Sequence, residues 1–244
     1  MTARRGGPQE IPRPPGTRAG GPPPWGHLDP EERALTLELI EQRLAGSGVA
    51  KPAAIEFDGA RHNAVLAPLY EADDGEVNIV LTRRAWHMRS HTGEVSFPGG
   101  GYEEGDDHLA STALREAEEE IGLIPADVQI IGELDHLATF VSRNAIVPYV
   151  GVIDGLPELQ PDHTEVDAIL HVPLSELLSP EVFREELWGR GDRWVRMFFF
   201  ELHGDTVWGA TASMLRQLLT IAVGLGREAA HWNPIEDLEG EDPI

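Results

Sequence analysis

The chain has 244 residues, 41% hydrophobic and 25% charged, which fits one globular domain of ordinary size with short extensions. Its 42 acidic against 19 basic residues give a formal net charge of -23, a field that repels nucleic acid and anionic membranes unless a bound cation or local basic patch inverts it. The absence of cysteine excludes disulfides, thiolate nucleophiles and cysteine-ligated metals.

Residues 1–27 are dominated by Pro, Gly and Arg without apolar periodicity, so a disordered arm is expected there. Arg4 and Arg5 are followed by Gly and Pro rather than the apolar run of a secretory signal, and no segment approaches the length of a membrane span. A cytoplasmic protein is expected. The stretch LDPEERALTLELIEQRLAG predicts a helix with Asp29 as N-cap, Pro30 at its first position and Gly46 near its stop. Leu35, Leu39, Ile40 and Leu44 form its packing face.

NAVLAPLY and EVNIVLT, separated by EADDG, predict a β-hairpin with Gly75 in the turn. The strand-like VSF and the glycines Gly99, Gly100 and Gly101 lead into a helix over residues 107–121. VQIIGEL, AIVPYVGVI, VDAILHV and RMFFFEL are further strands, ATASMLRQLLTIAV is a closing helix, and residues 226–244 are an acidic tail. Strands in mixed order with helices between them predict a single α/β domain over residues 28–225, a sandwich around a mixed β-sheet.

The stretch REAEEEIG, residues 115–122, places Glu116, Glu118, Glu119 and Glu120 just before a glycine that stops the helix. Carboxylates at that end face the negative pole of the helix dipole and repel one another, each costing on the order of 0.3–1 kcal/mol if exposed. On a helical wheel Ala110, Ala113, Leu114, Ala117 and Ile121 form a core stripe, with small residues that allow close approach to a sheet. Glu116, Glu119 and Glu120 share an adjoining face, and Glu118 points elsewhere. Three carboxylates on one face are hard oxygen donors suited to Mg²⁺ or Mn²⁺, whose charge would remove the repulsion. A solvated acidic face is the alternative, but only the last turn is loaded. Arg115, one turn before Glu119, can hold that carboxylate.

REAEEEIGL resembles the second half of the Nudix box, G-x5-E-x7-R-E-U-x-E-E-x-G-U with U bulky and apolar. Gly101, Arg115, Glu116, Glu119, Glu120, Gly122 and Leu123 fit its register, Ala117 is small for a U position, and Asp107 stands where the box has its first glutamate. In the family that position supports the loop and helix start, a role open to aspartate. The resemblance implies a Nudix-type α/β/α sandwich that hydrolyses a nucleoside diphosphate linked to another moiety, using Mg²⁺ or Mn²⁺. Glu116 and Glu120 would be the principal metal ligands, and Glu119 a further ligand or the general base.

Upstream, LTRRAWHMRSHTGEVSFPGG resembles the additional signature of the coenzyme A diphosphatase branch, roughly LLTxR, then LR, then HxGxVxFPGG. Met88 replaces a leucine and Glu94 sits where glutamine is frequent. The branch implies cleavage of coenzyme A or its thioesters into adenosine bisphosphate and (acyl-)phosphopantetheine, with ADP-ribose or another nucleoside diphosphate derivative as the alternative substrate. Arg83, Arg84, Arg89 and His91 gather cationic groups before the glycine loop, suited to a diphosphate and a ribose phosphate. On a strand Arg83 and Arg84 point to opposite faces, so one of them at most reaches a ligand. Arg84, Arg89, His91, Gly100 and Gly101 are the expected substrate-binding residues, although His91 equally fits a turn-stabilising hydrogen bond. Glu165 in PDHTEVD is an alternative base, or simply a polar residue at a strand start.

Overall fold

The computed structural model describes residues 5–53, 59–88, 91–139, 144–190 and 193–227. In chain order these form β1 (Arg18–Ala19), α1 (Leu37–Gly46), β2 (Arg61–Glu71), β3 (Val77–Arg84), β4 (Val95–Ser96), β5 (Gly99–Gly101) and α2 (Leu109–Ile121). A 3₁₀ turn at Pro125–Asp127 leads to β6 (Val128–Glu133), β7 (Leu137–Thr139), β8 (Asn144–Ile153), β9 (Val166–Pro173) and α3 (Leu174–Leu177). The last elements are β10 (Phe183–Arg190), β11 (Arg193–Glu201), β12 (Thr206–Trp208) and α4 (Gly209–Ala222).

The larger sheet runs β4-β3-β2-β8-β6, with β5 also on β2, β7 on β8 and β9 on β3. Its β2–β8 pair is parallel, from Arg61 opposite Asn144 to Leu69 opposite Val152, and the hairpin β2–β3 is antiparallel as expected. Both faces of the central strands are buried, so β2 and β3 read as near-continuous apolar runs. Ala64, Leu66 and Val80 face one core with Ala113, Ala117 and Ile121 of α2. Ala67, Leu69, Ile79 and Leu81 face the other, with α1 and α4. The alanines at 113 and 117 are fully buried, and their small size lets α2 lie close on β2. The mixed α/β sandwich is therefore as expected. No helix among the described residues is long and apolar enough to cross a membrane.

Three features differ from the sequence expectation. First, a four-stranded antiparallel sheet, β1-β10-β11-β12, packs on the second core. Its strand β10 hides behind the charged sequence FREELWGR. The Glu185 side chain is 4% exposed and pairs with Arg196 at 2.9 Å, while Glu186 pairs with Arg13 and Arg184 and accepts from the Trp188 indole N–H at 2.7 Å. Buried carboxylates are tolerated when ion pairs and hydrogen bonds meet them, and that condition is invisible to a hydropathy pattern.

Second, the arm expected to be disordered is ordered from residue 5 to residue 27. Arg18 and Ala19 pair with Leu187 and Glu186, and Trp25 is wholly buried, edge-on to Phe183 at 5.5 Å and stacked on Phe200 at 6.3 Å. One large aromatic anchor and a run of polar ties offset the ordering entropy that the local composition could not. Third, α1 starts at Leu37 rather than Pro30, because Thr36 is extended and its hydroxyl accepts from the Leu39 N–H at 3.2 Å. Asp29 instead sits in a preceding turn, its carbonyl accepting from Arg33 N–H. Most of the acidic tail lies outside the described residues.

The buried aromatic anchor carries a testable consequence. Trp25→Ala is expected to lower unfolding stability by about 3–5 kcal/mol in urea denaturation, as for other buried aromatics. A change under about 0.5 kcal/mol would mark residue 25 as part of a surface arm.

Candidate active site

Helix α2 presents the acidic face. His108 is extended and its Nδ1 accepts from Ser111 N–H at 3.1 Å, while Gly122 ends the helix in the left-handed conformation at φ 69°. With Ala113, Ala117 and Ile121 turned to the core, Glu116 lies against Gly100 and Glu120 against Gly99, while Glu118 and Glu119 are exposed.

The loop before α2 is held by Arg115. Its Nε and Nη2 donate to the two oxygens of Asp106 at 3.0 and 3.2 Å, and Nη2 also donates to the Gly101 carbonyl at 2.9 Å. Its Nη1 reaches Glu116 at 3.0 Å and Glu119 at 3.2 Å. Asp106 is met further by the Thr112 hydroxyl at 2.8 Å and the Glu103 N–H at 3.0 Å. The bracing role assigned to Asp107 thus falls to its neighbour Asp106, and His108, not an aspartate, caps the helix. Sequence spacing cannot separate adjacent aspartates in a loop without regular periodicity.

Glu120 is the most buried of the three carboxylates. Burial pushes its carboxyl up to about 8, with Glu116 and Glu165 adding repulsion, while the Gly99 N–H at 3.2 Å and Arg84 act in the opposite direction. Burial also raises the Glu116 carboxyl, against the pull of Arg115. Glu119 is 61% exposed at its side chain. The glycine loop exists in this form because side chains would not fit. A Cβ on Gly99, at φ 153°, would come within 2.4 Å of the Ala64 carbonyl oxygen, and one on Gly100 within 2.5 Å of the Glu116 carboxyl. Gly101 has room for a Cβ and contributes its carbonyl.

Loop 160–165 joins the site through the end of α2: Gln160 N–H donates to Ile121 and Asp162 N–H to Glu120, both backbone bonds of 2.9 Å. This brings Glu165 close enough to repel Glu116 and Glu120, with Arg84 Nη1 3.8 Å from its carboxylate. The two strand arginines separate as the alternation argument requires. Arg83 is spent on Asp167 at 2.9 Å and Asp205 at 2.9 Å, whereas a register shift against β9 between Arg83 and Arg84 leaves Arg84 beside Glu165. The buried Arg84 Nε has no hydrogen-bond partner among the described residues.

His91 adopts φ 57° and its Nδ1 lies 2.8 Å from Glu94, so it makes the turn-stabilising contact, with a side chain 63% exposed. Arg89 lies outside the described residues. Among the described residues, no three acidic or histidine groups converge on one point as a metal cage. Arg115 draws Glu119 and Glu116, and the Gly99 N–H holds Glu120. The donors themselves suit a hard cation: Glu116 and Glu120 lie one turn apart, both partly desolvated and mutually repelling. A divalent ion would relieve the repulsion that Arg115, which of these two reaches only Glu116, leaves at Glu120.

The Asp106–Arg115 brace makes acid stability a readout of the loop. The Arg115 hydrogen bonds hold the Asp106 carboxyl well below its ordinary value of 3.8. The brace therefore stabilises the fold fully above that value, and its contribution is lost as pH falls through the lower native one. The stability difference between wild type and Asp106→Asn cancels the opposite contributions of Glu116 and Glu120. Measured by urea unfolding at each pH, it is expected to be constant from pH 7 to about pH 5 and to shrink as pH falls below the ordinary aspartate value.

A model of the NUDIX domain matches residues 60–207, which include α2, the glycine loop and Glu165. Nudix hydrolase 15 of Arabidopsis thaliana, a mitochondrial protein, is 38% identical over 160 residues, covering 62% of this chain and 55% of that protein. An uncharacterized Nudix hydrolase, NudL of Photorhabdus laumondii, is 36% identical over 161 residues, 66% of this chain and 84% of that one. NudL of an Escherichia coli strain is 33% identical over 197 residues, 77% and 95% of the two chains. The chain spans about half the length of the Arabidopsis relative and most of the bacterial ones. The match runs through the braced glycine loop and the glutamate face of α2, and the chain belongs to the Nudix family.

Proposed function

We propose that the chain hydrolyses the diphosphate bond of coenzyme A or its thioesters, releasing adenosine bisphosphate and (acyl-)phosphopantetheine. The observation that carries the hydrolytic part is the desolvated pair Glu116 and Glu120 against a glycine loop, with Arg84 beside them. The coenzyme A part is supported by the arginine and histidine spacing before that loop, which resembles the coenzyme A diphosphatase signature.

Glu116 and Glu120 would hold Mg²⁺ or Mn²⁺, with Glu119 as a further donor. Such an ion supplies the charge that draws a diphosphate into an acidic protein and makes water a better nucleophile. The chain's own groups do the rest. Arg84 offers a cation and an unmet buried N–H to a phosphoryl oxygen. Gly99 and Gly100 let the backbone approach where any side chain would collide with β2 or Glu116. The general base is Glu119 or Glu165. Glu119 is tied to Arg115, which holds its position, whereas Glu165 is half exposed on a loop with Arg84 3.8 Å away.

Turnover of coenzyme A, dephospho-coenzyme A and ADP-ribose compared side by side tests the substrate. Coenzyme A is expected to be preferred, and a preference for ADP-ribose would sink that assignment in favour of the broader nucleoside diphosphate reading. Glu120→Gln is expected to lower kcat by about 10²-fold or more while leaving the thermal midpoint near or above the wild type, since it removes a carboxyl that burial disfavours. Of Glu119→Gln and Glu165→Gln, the variant that removes the base loses the alkaline-rising limb of its pH–rate profile, and the other retains it.

A further inference from the structure

Gln9 lies in the ordered N-terminal strap, outside the span matched by the NUDIX domain, and is only 8% exposed. All of its amide capacity visible in the structure is used on other segments. Its Nε2 donates to Asp205 Oδ1 at 2.8 Å and to the Gly93 carbonyl at 3.0 Å, and its Oε1 accepts from Thr206 N–H at 2.9 Å. The strap is seated firmly enough for this. Gly6 N–H donates to the Leu202 carbonyl at 2.7 Å and Gly7 N–H to the Thr206 hydroxyl at 3.0 Å, and a Cβ on Gly7 would meet Asp205 Cα at 2.5 Å.

These contacts converge on the two flanks of the turn that follows β3, at residues 83–84 and 93–94. Its outgoing limb leaves the end of β3, where Arg83 is anchored by two hydrogen bonds to the same Asp205 that Gln9 holds. Its returning limb passes Gly93, whose carbonyl Gln9 takes directly. Gln9 thus holds the returning limb directly and the end of β3 through Asp205, and the Gly93 N–H joins the two by donating to the Arg84 carbonyl at 3.2 Å. His91 at φ 57° and Gly93 at φ 67° turn the chain back here, the first held by its contact with Glu94 and the second open to glycine without strain. The Trp86 ring lies where a Gly93 Cβ would be, 2.3 Å from the nearest ring carbon, so the loop also closes on itself.

We infer that Gln9 is a positioning residue that, by holding Gly93, fixes Arg84 at the end of β3, so that the N-terminal strap sets how tightly the enzyme binds its substrate. The inference rests on the function proposed above, in which Arg84 offers its cation to the diphosphate substrate. Gln9 touches no group of the metal face, so its loss acts on binding and leaves the chemistry of bound substrate intact.

The test uses the full chain and coenzyme A with Mg²⁺. Gln9→Glu removes the two donations and sets a carboxylate against Asp205, and Gln9→Ala removes all three bonds. Arg13→Ala serves as control, because it cuts a different tie of the strap, to Glu186. Both Gln9 variants are expected to raise KM about tenfold, as for one lost hydrogen bond to a well-placed group, with kcat within about twofold of wild type. Hydrogen exchange of peptides covering residues 84–94 is expected to quicken in both, and Arg13→Ala is expected to change neither KM nor that exchange. Wild-type KM and exchange in the Gln9 variants would overturn the clamp, as would an equal effect from Arg13→Ala. If the wild-type protein fails to cleave coenzyme A, the proposed function falls, while the exchange measurement still decides the clamp.

Discussion

The Arg115 guanidinium meets four acceptors at once: Asp106, the Gly101 carbonyl, Glu116 and Glu119. A planar fork of five donors is the one side chain able to bind a loop carboxylate side-on while reaching a carbonyl and two helix carboxylates, and a lysine could not do so. Everything at the acidic end of α2 depends on it. The glycine loop is closed through the Gly101 carbonyl, the helix start through Asp106 and Thr112, and part of the glutamate repulsion is neutralised before any ion binds.

The brace works because α2 is itself fixed. Alanines at 113 and 117 let the helix lie against β2, and a side chain at Gly99 or Gly100 would collide with the strand or with Glu116. Helix, loop and strand thus form a rigid frame whose most buried carboxylate, Glu120, is destabilised in its charged form when alone. Local electrostatic strain of this sort is kept where a ligand of opposite charge relieves it. The second sheet plays a different part. It covers the far side of the core and, through the strap and the β11–β12 turn, reaches the loop that follows β3.

The two halves of the site differ in how they are held. On the α2 side, short sequence separations and helical periodicity set the geometry, as in the Arg115–Glu119 pair one turn apart. On the β3 side, Arg83 and Gly93 are positioned by partners far along the chain, Asp205 and Gln9. A β-strand arginine has two possible directions, and here a register shift against β9 and a buried aspartate decide that Arg83 is structural and Arg84 faces the acidic site.

The sequence alone determined the local features: the amphipathic stripe of α2, its glycine stop, the shared face of Glu116, Glu119 and Glu120, and the β2–β3 hairpin. These follow from periodicities of 3.6 and 2 and from backbone preferences, which act within one or two turns of chain. Only the tertiary structure decided the rest. It made FREELWGR a strand by pairing Glu185 and Glu186 with Arg196, Arg184 and Arg13, ordered a Pro/Gly-rich arm around the buried Trp25, and chose Asp106 over Asp107 for Arg115. In the first two cases the deciding factor is the burial of a charge or ring against residues distant in sequence, and in the third it is the path of an irregular loop, and no local periodicity carries either.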